Sequence, residues 1–333
     1  MTYPKIELHV HLEGTVRPKT LLEIAWRNGY ALPVETEEEV EALYAYRDFA
    51  RFIEVFMLTS RALEREDDFR RIVVEYAEEA AGHGAVYLEA IFSLGLWHGL
   101  DSDVVFTGVC DGADEARERF GLEIRLTPDI ARVYSLDEAL HVVRHAIKYR
   151  DRGVVGVGLG GPEADNPPEP YAPAFDLARS EGLASVPHAG EHAGPSSVRG
   201  ALEALGARRI RHGIRAVEDP ELVRELAERR VVLDVCPISN VRTRAVPSLE
   251  VHPLPLLVGA GVICTVSTDD PAMFGTDLST EYAAASSLGL EPRGFYEAGI
   301  EGALCDEDTR ARLRSVGNEF DWNAVHAAEV EVP

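Results

Sequence analysis

Lysine is nearly missing from this sequence. It occurs at Lys5, Lys19 and Lys148 alone, and arginine carries almost all the positive charge. With 33 basic against 57 acidic residues, the formal charge is -24. Such a surface repels phosphate backbones, so nucleic acid is not an expected partner and polyanionic ligands are disfavoured. Cysteine is scarce too. Cys110, Cys236, Cys264 and Cys305 include no Cys-x-x-Cys pair, which argues against a disulfide framework or a structural zinc knuckle. No apolar run approaches the length of about 18 residues that marks a membrane-spanning helix, so no membrane association is expected. The opening residues carry Lys5, Glu7 and His9 in place of an apolar signal core. A cytoplasmic enzyme is the expectation.

What is present is a repeat of short apolar, β-branched runs between charged amphipathic stretches. The runs Lys5–His11, Ala85–Phe92, Glu123–Thr127, Val154–Leu159, Ala184–His188, Arg209–Gly213, Val231–Cys236 and Val262–Thr268 read as strands. Leu136–Arg150, Pro170–Glu181, Ser197–Leu205 and Pro220–Glu228 read as helices between them. Strand then helix, repeated, means parallel strands with crossover helices, and eight repeats fit a barrel or a doubly wound sheet. No Gly-x-Gly-x-x-Gly follows the first strand, so a dinucleotide fold loses its main support. The expected architecture is an α/β (β/α)8 TIM barrel, residues 1–333 forming one domain. Extra helices are expected at 15–80, after the first strand, and a loop and helix at 93–120. The tail from Asn318 is expected to pack as a last helix or to fray.

Metal-competent side chains fall at the C-terminal ends of these strands, where barrel enzymes build their sites. His9 and His11 end the first strand, His188 the fifth and His212 the sixth; Asp269 and Asp270 end the eighth. His9 and His11 are two apart, so on a strand they share a side. With His188 and Asp269 they offer three nitrogens and a carboxylate oxygen, a set that suits Zn2+. Each element has an ordinary reading by itself. His-x-His is common, and Asp269-Asp270 before Pro271 resembles a helix cap. All of them at strand ends, in barrel order, is a much less ordinary coincidence.

The chain resembles the adenosine deaminase family of the amidohydrolase superfamily over nearly its whole length. The resemblance is carried by Pro4-Lys5-Ile6-Glu7-Leu8-His9-Val10-His11-Leu12-Glu13-Gly14, Pro187-His188-Ala189-Gly190-Glu191, Arg211-His212-Gly213, Val235-Cys236-Pro237-Ile238-Ser239-Asn240 and Ser267-Thr268-Asp269-Asp270-Pro271-Ala272. It implies one Zn2+ per chain on His9, His11, His188 and Asp269, with a water attacking C6 of a 6-aminopurine. It implies Glu191 as the acid that protonates ring N1. His212 would orient the water, accept its proton or stabilise the developing charge. Asp270 would hold N7, and the backbone N–H of Gly161 would meet N3. Superfamily members with two metals often need a lysine at the end of the fourth strand; this strand has none, and Lys148 belongs to the preceding helix. The His-x-Glu and Pro-Cys-x-x-Cys ligands of the other zinc deaminase class are missing as well.

Three departures bear on the substrate. Glu13 stands where many members have Asp, a position linked to the ribose 5′-hydroxyl. Gly161-Pro162-Glu163 replaces Gly-Asp-Glu, and the loop Ser93–Leu100, with Trp97 and His98, differs. A small purine is the expected partner. Adenosine and 6-aminodeoxyfutalosine are comparable candidates, with Glu13 among the substrate-binding residues, and free adenine is the alternative. A barrel kept as a binding protein is the rival from another class, and the complete residue set argues against it. In Tyr44–Leu63 the residues Tyr46, Phe49, Phe52, Ile53, Phe56 and Met57 fall at helical spacing. They read equally as a core stripe or as a lid over the base.

Overall fold

The computed structural model describes residues 2–46, 49–97 and 99–325. Strand β1 (Lys5–His11) pairs in parallel with β2 (Ala85–Phe92), β2 with β3 (Glu123–Ala131), β3 with β4 (Gly156–Gly160) and β4 with β5 (Ala184–Ser185). A second parallel run follows through β6 (His188–Ala189), β7 (Arg209–His212), β8 (Val232–Val235) and β9 (Ile263–Val266). The ring closes beyond β9. His11 N donates to Asp269 O at 2.7 Å, and Asp269 N donates to His9 O at 3.0 Å. This is the expected (β/α)8 barrel.

Most strand limits agree with expectation within two residues; the third and fifth strands differ more, and both differences trace to proline. The fifth strand, expected unbroken over Ala184–His188, is divided into β5 and β6. Pro187 has no N–H to give to the ladder. The segment instead passes from one neighbour to the other: Val186 N donates to Val157 O at 3.0 Å, and Pro187 O accepts from Arg211 N at 3.0 Å. The third strand was expected to stop at Thr127, before Pro128, yet it runs on to Ala131. Pro128 lies opposite Phe92, the last residue of β2, so the ladder on that side is finished there. Pairing continues on the other side, Asp129 to Gly158 and Ala131 to Gly160.

Helices Pro18–Asn28, Glu37–Leu43, Phe49–Ser60 and Glu66–Gly82 fill the stretch between β1 and β2. Thr36 and Glu39 cap the second of these reciprocally. A 3-10 turn, Leu94–Leu96, and the helix Ser102–Phe120 follow β2. The crossover helices Leu136–Lys148, Ala172–Ser180, Pro195–Glu203 and Pro220–Glu228 agree with the sequence reading within a few residues. Lys148 ends its helix on the surface, bound to Asp103. The last helix, Glu307–Glu319, stops near Asn318. Beyond it Trp322 and Val325 are buried against Ile6, Leu8 and Tyr296, while residues 326–333 lie outside the described part.

The main apolar core lies between strands and helices, with Val10, Leu88, Leu126, Ile210 and Leu233 against Phe69, Val109, Val143 and Leu226. Burying each such side chain contributes roughly 1.5–3 kcal/mol. Two buried arginines are paired with carboxyl groups. Arg209 lies 2.5 Å from Glu89 and 3.1 Å from Asp234, and Arg211 binds Asp129 and Thr127. Among the described residues no helix is long and apolar enough to cross a membrane.

Candidate active site

The C-terminal strand ends bring His9, His11, His188 and Asp269 to one point, all buried. Nε2 of His188 lies 3.1 Å from Nε2 of His11 and 3.2 Å from Nε2 of His9. Oδ1 of Asp269 lies 3.0 Å from His9 and 3.4 Å from His11. Asp269 reaches this place through a left-handed backbone, with φ of 67°. The neighbouring His212 has φ of 62°. Such conformations cost of order 1–3 kcal/mol in non-glycine residues and gather at functional sites.

The donor set fits a tetrahedral metal. Bond lengths of about 2.0–2.1 Å to zinc imply donor separations of about 3.3–3.4 Å, and the four separations given above, 3.0 to 3.4 Å, lie near that spacing. The protons of the rings point the same way. Nδ1 of His188 faces the carbonyl of Leu159 at 3.1 Å, and Nδ1 of His9 faces the carbonyl of Asp234 at 3.4 Å. A carbonyl only accepts, so each Nδ1 carries hydrogen and each Nε2 directs a lone pair inward. Two lone pairs and a carboxylate oxygen converge, an arrangement that a cation stabilises. Burial pushes the imidazoles of His188 and His11 far toward the neutral form, His11 down to about 3. Burial works against an ionised Asp269, but His9, His212 and His11 hold it well below the usual carboxylate range. Ser239 Oγ donates to its other oxygen at 2.5 Å.

Glu191 and His212 stand beside this set. Oε2 of Glu191 is 3.5 Å from Nε2 of His212, and Oε1 accepts from Thr243 at 3.0 Å. Burial pushes the Glu191 carboxyl well above its usual range, and the nearby charges of Asp269 and Glu163 add to it. Glu163 does not share that place. Its two oxygens accept from the backbone N–H of Gly190 and of Glu191, both at 2.9 Å, so it braces the turn that carries Glu191.

A cavity of about 160 Å³ opens over these groups. Phe49, Phe52, Ile53, Phe56 and Met57, all on the helix Phe49–Ser60, line it, so the aromatic stripe faces the cavity. The rings of Phe49 and His192 lie tilted at 47° to one another, with centroids 4.2 Å apart. Arg47 and Asp48 of this stretch, and His98 of the Ser93–Leu100 loop, lie outside the described residues. Gly161 and Asp270 line the cavity as well. Gly161 has φ of +93°, which disfavours any side chain, and a Cβ there would meet only Arg132 N, at 3.7 Å. Asp270 abuts Gly14 so closely that a Cβ on Gly14 would come within 2.5 Å of the Asp270 Cβ. Glu13 is not among the lining residues. It is buried, and its Oε1 accepts from the N–H of Ser93, which does line the cavity, at 2.6 Å.

Sequence reasoning passed over Asp129, Arg132 and Thr243, and gave Ser239 and Asn240 no role. Asp129 lines the cavity and lies 3.3 Å from Nδ1 of His188. Arg132 donates to His188 O at 2.7 Å. For Asp129 the signal existed: it sits at the end of the third strand, hidden by the stop assigned to Pro128.

The family model described as adenosine deaminase matches residues 4–318. An aminodeoxyfutalosine deaminase of Acidothermus cellulolyticus is 50% identical over 328 residues, 96% of this chain and 92% of that protein. The crystal structure of an adenine deaminase from Arthrobacter aurescens superposes with a TM-score of 0.90 at 32% identity, covering 95% of this chain and 98% of that one. An amidohydrolase from Burkholderia ambifaria, solved with bound Zn, gives a TM-score of 0.89 at 31% identity, covering 98% and 92%.

Proposed function

Because the chain belongs to the adenosine deaminase family, we propose that it hydrolyses the 6-amino group of an adenine nucleoside, consuming one water and releasing ammonia with the 6-oxopurine. The observation that carries this reading is the meeting of His9, His11, His188 and Asp269 beside Glu191 and His212 at the floor of one cavity. These four would hold one Zn2+, which would supply a water acidified to a pKa of ~7 as nucleophile. Glu191, kept protonated by burial, gives its proton to ring N1, which makes C6 electron-poor. His212 faces the attacking oxygen. Asp270 engages N7, and the N–H of Gly161 meets N3. Glu13 acts on the substrate through Ser93 and not by touching it. The helix Phe49–Ser60 is the lid that excludes water from the base. The chain is read as one domain, supported by an apolar cluster that takes in residues from Val10 to Phe295. The four free cysteines support a reducing, cytoplasmic compartment.

For the substrate, the 50% identity to an aminodeoxyfutalosine deaminase supports a nucleoside with a modified 5′ end. The open space at Gly161 leaves room for a 9-substituent. The likeness to a solved adenine deaminase favours the second reading, the free base. The test is ammonia release, with kcat/KM for adenine, adenosine, 2′-deoxyadenosine and 6-aminodeoxyfutalosine under one condition. The nucleoside reading expects 6-aminodeoxyfutalosine or adenosine to lead. A lead for adenine of about tenfold or more, on the order of 1.4 kcal/mol in transition-state binding, overturns it.

A further inference from the structure

His212 stands at one end of a chain of buried polar groups that the reaction above does not use. Its Nδ1 lies 3.1 Å from Nδ2 of Asn240, and Oδ1 of Asn240 lies 3.2 Å from Nε2 of His252. The far end is tied to the main chain: the N–H of Leu254 donates to Nδ1 of His252 at 3.1 Å. All three side chains are buried, His252 being 4% exposed and Asn240 0%.

A backbone N–H has only one direction, so the chain is polarised from that end. Nδ1 of His252 accepts, and a neutral His252 therefore carries its proton on Nε2. Burial keeps that ring neutral, lowering its pKa to about 4. The Nε2–H of His252 faces Oδ1 of Asn240. Asn240 must then turn its NH2 to the other side, where it serves both Nδ1 of His212 and the carboxyl of Glu191. The flipped amide would set NH2 against the protonated nitrogen of His252. With Nδ1 engaged as an acceptor, neutral His212 bears its proton on Nε2. That nitrogen lies 3.5 Å from Glu191 Oε2 and 3.8 Å from Asp269 Oδ2, beyond hydrogen-bond length, so neither carboxyl group holds its proton.

We infer that Asn240 and His252 are positioning residues that hold His212 as its Nε2-protonated tautomer, so that His212 donates a hydrogen bond to the attacking oxygen and does not remove its proton. Of the three roles that the family resemblance leaves to His212, this selects orientation and charge stabilisation. The identity of the oxygen rests on the deaminase reading; the tautomer does not.

The experiment reads the tautomer directly, by side-chain 15N NMR of the zinc-loaded, substrate-free protein, with His212→Gln identifying the resonance. The proton is expected on Nε2. Asn240→Asp replaces the donor by an acceptor and is expected to move the His212 proton to Nδ1. It should lower kcat by about 10²–10⁴-fold, with zinc content kept and KM little changed. His252→Gln, whose amide can accept from Leu254 and donate to Asn240, should restore the tautomer and most of kcat, where His252→Phe loses both. A wild-type proton on Nδ1 overturns the inference, and so does full kcat in Asn240→Asp. Should Asn240→Asp fail to fold, the wild-type spectrum decides alone. An Nε2 proton in a protein that deaminates no purine upholds the tautomer and overturns the deaminase reading.

Discussion

Three carboxyl groups near the cavity floor differ in what holds them. Asp269 is kept ionised by imidazoles, Glu191 is pushed toward the acid form by burial, and Glu163 is consumed by backbone amides. Environment, not residue type, divides the labour. Glu191→Gln is expected to fold and keep zinc but to lose about 10²–10⁴-fold in kcat, as loss of a general acid does. Activity within a few-fold of wild type, measured by ammonia release, would move the acid role elsewhere. Glu163→Ala is expected to free the turn at Gly190–His192 and lower kcat, while Glu163→Gln, which keeps one acceptor oxygen, retains more. Equal loss in both would mean that the charge of Glu163 matters and its bracing does not. At this scale the meeting of His9, His11, His188 and Asp269 was legible, because side chains with ordinary readings one by one all fall at strand ends in barrel order. Glu13 was legible only as a departure from a pattern. That its carboxylate reaches Ser93 and not the cavity depends on how a distant loop folds back, which spacing along the chain does not encode.

The elements that position the site were legible where period and punctuation agreed. Pro220–Glu228 appears as read, because Asp219 caps it and Pro220 opens it. They were not legible where a proline served one side of a ladder only, as at Pro128 and Pro187. The stripe in 44–63 was ambiguous, since a core face and a cavity face have the same period. In the fold the stripe does both: Phe52 and Phe56 pack with Met273 and Phe274, and they line the cavity, the Phe56 ring centroid lying 6.2 Å from that of His11 in edge contact. Phe56→Ala is therefore expected to leave zinc content unchanged and to lower kcat/KM by on the order of tenfold or more, by admitting water over the base. Unchanged kcat/KM would return the stripe to an ordinary packing role. Gly14→Ala tests the contact between the turn Leu12–Thr15 and the helix Pro271–Phe274. The added Cβ has no room beside Asp270, so kcat/KM should fall while the barrel's thermal stability changes less.

At the scale of the molecule, an acidic barrel holds a site of mostly neutral imidazoles and apolar wall. A net charge of -24 repels itself, so the melting temperature is expected to rise with sodium chloride from low to physiological ionic strength. A flat or falling trend would mean that the surface arginine pairs already offset the repulsion. Parallel strands with crossover helices were legible from the alternation of strand and helix, whereas the strand count alone did not distinguish a closed ring from an open, doubly wound sheet. The helices after β9 were not read, since no strand follows to set their spacing. On the proposed reading one metal, held by four strand-end side chains, makes this barrel a deaminase. Titrating zinc into metal-free protein and following ammonia release from 6-aminodeoxyfutalosine and adenosine tests this most directly. No activity is expected without metal, and a linear rise that saturates at about one zinc per chain. Full activity in the metal-free protein, or a rise that saturates only at about two zinc ions per chain, would contradict that reading.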